Sequence, residues 1–243
     1  MTDLRLMAFK HGRIMMPLIL LMAILSIVRL ISDDVIVQQI HGIGVMLLSV
    51  GLAVYALDYL IRLIGLSEDR LLLLSPKPRW IIAALSSLVM GILLTIGYIA
   101  AIIPQVSADG DELLNQLIMF VSYIVSVFSG LGLMVFVVYL LKGVRGKTAL
   151  RASTWLLFVV IVGAAMAACI LSVIHLTEHS NWSIGVASNN SAVNVYATIL
   201  PVTVLDVKDI AGLALSFAGA NAIAGLIFWV SASLLARRPN NYI

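Results

Sequence analysis

Residues 113–151 read LLNQLIMFVSYIVSVFSGLGLMVFVVYLLKGVRGKTALR. No Asp, Glu, Lys or Arg occurs from Leu113 to Leu141, and then Lys142, Arg145, Lys147 and Arg151 follow within a single turn-rich stretch. About 20 apolar residues are enough for a helix to cross the hydrocarbon core of a bilayer. A long uncharged run that stops abruptly at a basic cluster is how such a helix ends at a membrane surface.

The rest of the chain repeats that pattern. Of its 243 residues, 62% are hydrophobic and only 11% are charged, with a mean hydropathy of +1.10. A soluble domain is typically about 45–50% apolar and about 25% charged. This composition excludes an ordinary water-soluble domain and predicts an all-α integral membrane protein. Six stretches are long and apolar enough to span: roughly 14–32, 41–61, 80–103, 113–141, 153–175 and 209–236. Lipid supplies no partner for unpaired backbone groups, so each is expected to be a helix. The whole of 1–243 reads as one transmembrane domain. The first run, from Ile14, is longer than a signal-peptide core and is expected to remain as a span.

Basic residues set the expected orientation. Arg5, Lys10 and Arg13 precede the first span; Arg62, Arg70, Lys77 and Arg79 lie between the second and third. Lys142, Arg145, Lys147 and Arg151 lie between the fourth and fifth, and Arg237 and Arg238 follow the sixth. With six spans these segments share one side and hold 13 of the 15 basic residues; Arg29 and Lys208 are the others. The opposite connections carry Asp33, Asp34, Asp109, Asp111, Glu112, Glu178, Asp206 and Asp209. Both termini are expected in the cytoplasm.

Gly146-Lys147-Thr148 resembles the end of a P-loop, but the motif needs a glycine where Leu141 stands and a strand before it. A short basic loop between two spans offers neither, so ATP hydrolysis is not expected of this chain. Cys169 is the single cysteine and permits no internal disulfide. No metal site is expected, because no His or Cys pair has ligand spacing. Ser129 and His175 are the only pair of intramembrane-protease type, and the glycine two before the serine is missing. Arg29 is expected to pair with Asp33 one turn on. His41 and His175 read as ordinary interfacial residues.

The second basic break is the most informative: YALDYLIRLIGLSEDRLLLLSPKPRW, residues 55–80. Asp58 and Arg62 share a helix face. Gly65 can end that helix. Ser67, Glu68 and Asp69 supply cap and acid for a new one, and Pro76 and Pro78 stop it. Arg79-Trp80 marks the next membrane interface. A short amphipathic helix between spans two and three is expected.

These residues resemble the small bacterial ABC-2-type permeases, whose cytoplasmic element between spans two and three reads roughly Asp…Gly-x-Glu-x-x-Leu-x-x-x-x-Pro-x-x-Arg-Trp. Asp58, Glu68, Leu71, Leu73, Pro76, Arg79 and Trp80 fall on it, while Asp69 and Pro78 depart from its common residues. The resemblance implies a coupling helix that docks on a separate ATPase subunit through Asp58, Glu68, Asp69, Arg70, Pro76 and Arg79. It also implies that the N-terminal MTDLRLMAFKHGR is an interfacial helix before span one. ATP and Mg would be bound by that ATPase and by nothing in this chain. The implied setting is the bacterial plasma membrane, with a second copy or a paralogous permease, and no nucleic acid. The implied cargo is an amphipathic or hydrophobic substrate such as a peptide, exported as in lantibiotic and phenol-soluble-modulin systems. Gly212, Ser216 and Gly225 in span six form a candidate dimer seam, since small residues let helices approach. The long 176–208 connection would fold as short re-entrant helices. The alternative is a membrane scaffold or sensor that transports nothing.

Overall fold

A computed structural model describes residues 2–32, 34–66, 77–102, 110–178, 194–196, 203–205 and 211–237. The architecture is all-α, as expected. Six long helices account for nearly all of it: α1 Thr2–Ile31, α2 Val35–Leu60, α3 Arg79–Ile102, α4 Gly110–Leu141, α5 Lys147–Glu178 and α6 Ala211–Arg237. Each contains a segment long and apolar enough to cross a membrane. Two short strands, β1 Asn194–Tyr196 and β2 Thr203–Leu205, pair antiparallel with Val195 opposite Val204.

Helices rather than strands follow from the physics of the medium, because every backbone group in a helix is satisfied within its own segment. The outer surface fits the same medium. Ile40, Ile43, Leu47, Val50 and Val54 are all exposed along α2, at the three- and four-residue spacing of one helix face. Ile223, Leu226, Ile227, Val230 and Leu234 do the same along α6. In water such stripes would drive association; against acyl chains they are ordinary surface.

Four of the helices, α1, α2, α4 and α5, are longer than the apolar runs they contain. Asp34 caps α2 by accepting from the Ile36 amide at 2.9 Å, so that helix starts well before residue 41. The expected separate interfacial helix at the N-terminus is not a separate element. Thr2–Ile31 is one continuous helix through Pro17, and at 1.5 Å per residue it is about 45 Å long, against about 30 Å of hydrocarbon. The reason is burial: Met7 and His11 pack inside the bundle, which holds the first turns in line with the rest. The expectation of short helices across 176–208 also changes where residues are described. Glu178 still belongs to α5, and 194–196 with 203–205 form the strand pair. The central part of the expected coupling helix, residues 67–76, lies outside the described residues.

Packing is uneven. The most extensive contact joins α4 and α6, followed by α1 with α3. α4 is the central element: Val127, Leu131, Met134, Val137 and Val138 are fully buried. α5 enters the bundle through Leu150, Thr154 and Phe158 near its start, while Val159 and Val160 are exposed.

Candidate functional site

The helices run up and down, so the basic segments converge. His11 of α1 meets Tyr55 and Tyr59 near the end of α2, with its Nδ1 3.0 Å from the Tyr55 hydroxyl and its ring edge-on to Tyr59. The Lys10 ammonium lies 4.7 Å from the centre of the Tyr59 ring, within cation–π range. Tyr59 reaches α3 through the Ser86 hydroxyl at 3.5 Å. Histidine in a nominally interfacial segment therefore serves as a joint between helices. Sequence reasoning missed it; the signal was two tyrosines spaced four apart at the end of the next span.

The first three turns of that joint lead into the segment that resembles a coupling element. After Leu60 the helix widens into a π turn, Ile61–Gly65, with Ile61, Leu63 and Ile64 buried. Single π turns inside helices recur at functional sites. This one rotates Arg62 outward while its three apolar neighbours remain in the core. Arg62 Nε donates to the Asp58 carboxylate at 2.7 Å, with a second contact through Nη2, and the pair is partly exposed. The expected local pair of Asp58 and Arg62 is present. Gly65 lies against Leu150 of α5. The described residues resume at Lys77, and Arg79 and Trp80 open α3. Of the residues expected to couple, Asp58 and Arg79 are placed at the two ends; Glu68, Asp69, Arg70 and Pro76 lie outside the described residues.

The Arg79 charge also acts on Lys142, in the loop after α4. Lys142 follows Tyr139 by one turn, and its amide donates to the Tyr139 carbonyl at 3.4 Å. Burial, and then the Arg79 charge, holds the Lys142 ammonium below the usual lysine value. Tyr139 lines a slot of about 250 Å³ together with Trp80, Ala84, Val135, Trp229 and Ser233 among others.

The slot exists because α4 packs on both α3 and α6 while α3 and α6 barely touch. Its α6 wall is fixed by a polar seam with α4. Ser129 donates to the Asn221 carbonyl at 2.6 Å, Asn221 Nδ2 donates to Ser126 at 2.9 Å, and Trp229 Nε1 donates to the Phe128 carbonyl at 3.0 Å. Gly132 leaves room for the Trp229 indole, and a Cβ on Gly225 would lie 2.4 Å from the Ser129 hydroxyl. The bare backbone of Gly225 serves close approach of α4 within one chain. Gly212 and Ser216 lie on the same helix, in a stretch whose side-chain surroundings are outside the described residues. The Ser129 hydroxyl, once considered as a nucleophile, is committed to the α6 backbone.

The opposite end holds a different cluster. Arg29 Nη1 lies 3.3 Å from His41 Nδ1. Arginine only donates, so Nδ1 accepts and the imidazole proton sits on Nε2. Nε2 then donates to Ser26 at 3.0 Å, and the Ser26 hydroxyl donates to the Ala101 carbonyl at 3.5 Å. Arg29 was expected to pair with Asp33, which is outside the described residues; the structure gives it His41. His41 itself is buried, not interfacial.

The Gly146-Lys147-Thr148 tripeptide is a helix start. Gly146 has φ +93°, a left-handed value that favours glycine, and α5 begins at Lys147 directly after it. Helix α4, not a strand, precedes the turn. Among the described residues no group of three or more His, Cys, Asp or Glu is placed to hold a metal.

Comparison with known protein families, curated proteins and solved structures found no match.

Proposed function

We propose that this chain is the membrane-spanning permease subunit of an ABC-2-type exporter, driven by ATP hydrolysed in a separate subunit. The observation that carries the reading is the ordered set Asp58, Glu68, Leu71, Pro76, Arg79 and Trp80 between the second and third apolar helices. The geometry at its two ends supports it. A segment that passes force from a partner into a bundle needs rigid attachments, and this one lies in sequence between a buried π turn and the start of α3 at Arg79.

The basic end would face the cytoplasm of a bacterial cell, where an ATPase and Mg-ATP are available. The working unit would be two permeases and two ATPases. An amphipathic cargo, such as a peptide, would move outward along the apolar interior. The chain itself would form and break no covalent bond.

Co-purification tests this reading. In mild detergent, wild type should retain an ABC ATPase encoded beside it, and Glu68→Ala should lose most of it. Truncating one partner of a desolvated charged contact costs about 2–5 kcal/mol. Unchanged retention together with unchanged export would remove the coupling assignment, and a chain that retains no ATPase at all would fit a scaffold or sensor better. Lys147→Ala should leave the ATPase rate of the complex unaltered; loss of nucleotide binding would restore the P-loop reading. On a Cys169→Ala background, single cysteines at Asp109 and Asn189 should react with an impermeant thiol reagent added to cells. Cysteines at Lys147 and Asn240 should not, and labelling of either would mean a miscounted span.

A further inference from the structure

The cluster at the far end admits only one protonation state of His41. Arg29 stays charged and only donates, so its contact with Nδ1 at 3.3 Å needs a bare lone pair on that nitrogen. Nε2 carries the ring's single proton and gives it to Ser26 at 3.0 Å. Ser26 commits its own hydroxyl proton to the Ala101 carbonyl of α3, so towards the ring it only accepts. A second proton on the imidazole would set an N–H on Nδ1 against an N–H of Arg29, and one full positive charge against another. Of the two links from His41 to α1, the one to Ser26 would survive and the one to Arg29 would break.

Among the described residues no other side chain offers the ring a compensating charge. α1 presents Arg29 and Ser26 to it. α2 carries Asp34 at its head, and that carboxylate accepts from the Ile36 amide at 2.9 Å. The end of α3, Ala100 to Ile102, holds no titratable side chain, and Tyr98 before it stacks on Tyr123 of α4. Asp33 lies outside the described residues. His41 is buried but stands within two turns of the start of α2, so a proton from the medium has a short way to travel.

We propose that His41 is a pH-sensitive latch. At neutral pH its bare Nδ1 holds Arg29 and ties the end of α1 to the start of α2; in acid the second proton expels Arg29 and loosens that joint. A free imidazole takes its second proton near about pH 6.5. The opened joint accepts that proton and the closed joint does not, so acid favours opening. Below about pH 6.5, each unit of pH favours the open form by up to about tenfold. Aspartates ordinarily titrate near about pH 3.9, below this window. The inference is independent of the exporter reading, since it concerns only how α1, α2 and α3 are joined.

The test places spin labels on cysteines at Leu30 and Gln38, both exposed, in the full chain carrying Cys169→Ala. Dipolar broadening between the labels reports whether the end of α1 lies against the start of α2. With His41 present the broadening should fall as pH is lowered from about 8 to about 5, the range in which histidine titrates. His41→Gln should remove that change, because its amide oxygen accepts from Arg29, its amide nitrogen donates to Ser26, and neither titrates there. Arg29→Gln should remove it as well: a neutral amide turns its donor to bare Nδ1 or its oxygen to protonated Nδ1. A third measurement needs no label. The unfolding midpoint in detergent should fall further between neutral and acid pH for wild type than for His41→Gln, since the other histidines are common to both. Broadening that acid leaves unchanged in the labelled chain overturns the proposal. So does an acid-driven loss that persists in His41→Gln or in Arg29→Gln, or an equal fall of the two midpoints.

Discussion

The two ends of this bundle handle polar groups in opposite ways. At the far end, Arg29, His41, Ser26 and the Ala101 carbonyl satisfy one another in a closed sequence of donors and acceptors. At the basic end, Tyr139 keeps a hydroxyl with no acceptor and Lys142 a charge with no carboxylate among the described residues. Both ends lie at the margins of apolar helices, where an unmet polar group is costly. A closed network there explains itself as a device that fixes three helices. An open one leaves a donor unused inside the fold.

The sharpest way to break the comparison is at the π turn, since the basic end is open only in its polar groups and tightly packed beneath them. Leu63 is fully buried. Leu63→Ala should cost about 2–5 kcal/mol from lost contacts and the cavity left behind, read as a fall in the detergent-solubilised unfolding midpoint. A loss below about 1 kcal/mol would mean that the turn relaxes freely and is no anchor for the segment after it.

Two smaller changes should have opposite signs at the two ends. Tyr139→Phe removes an unsatisfied buried hydroxyl and should stabilise the lipid-free protein, by about 1 kcal/mol, the low end of the cost of such a group. At the far end, Ser26→Ala and His41→Phe should each destabilise. Their double-mutant cycle should give a coupling near 0.6 kcal/mol, the average for hydrogen bonds between membrane helices. Destabilisation by Tyr139→Phe, or zero coupling between Ser26 and His41, would erase the distinction between an open and a closed end.

The helices were legible in the sequence because lipid imposes a simple rule on length and polarity, and the body of each of the six apolar runs falls on an observed helix. The polar joints were not legible. His41 and Arg29 are on different spans, twelve residues apart with a turn between, and only the packing of α1 on α2 brings their side chains together. Nothing in the sequence around Tyr139 marks its hydroxyl as unmet, because that depends on α3 and α6 failing to close over α4. Gly225 was legible as a close-approach residue, but a small residue marks that a backbone comes near, not which one; here it is α4 of the same chain. Asp34 could have been read as a helix cap from its place before an apolar run, which would have extended the second span to its observed start. The π turn has no local signature that separates Ile61–Gly65 from a continuing α-helix.

The finest test of the open end is chemical. Lys142 is held below the ordinary lysine pKa, first by burial and then by the Arg79 charge. Both causes disfavour the ammonium, so the unfolded chain holds its proton more firmly than the fold does. The sign follows: folding is penalised while the unfolded lysine is protonated, and the penalty fades as pH rises through the depressed folded value and on to the unfolded one, so stability increases across that window. The same shift leaves more neutral amine at a given pH. Lys142 should therefore acylate at lower pH than a lysine of ordinary value, about 10.4, when followed by peptide mass spectrometry of the lipid-free protein. A midpoint at the ordinary value would mean that neither burial nor the Arg79 charge acts on Lys142.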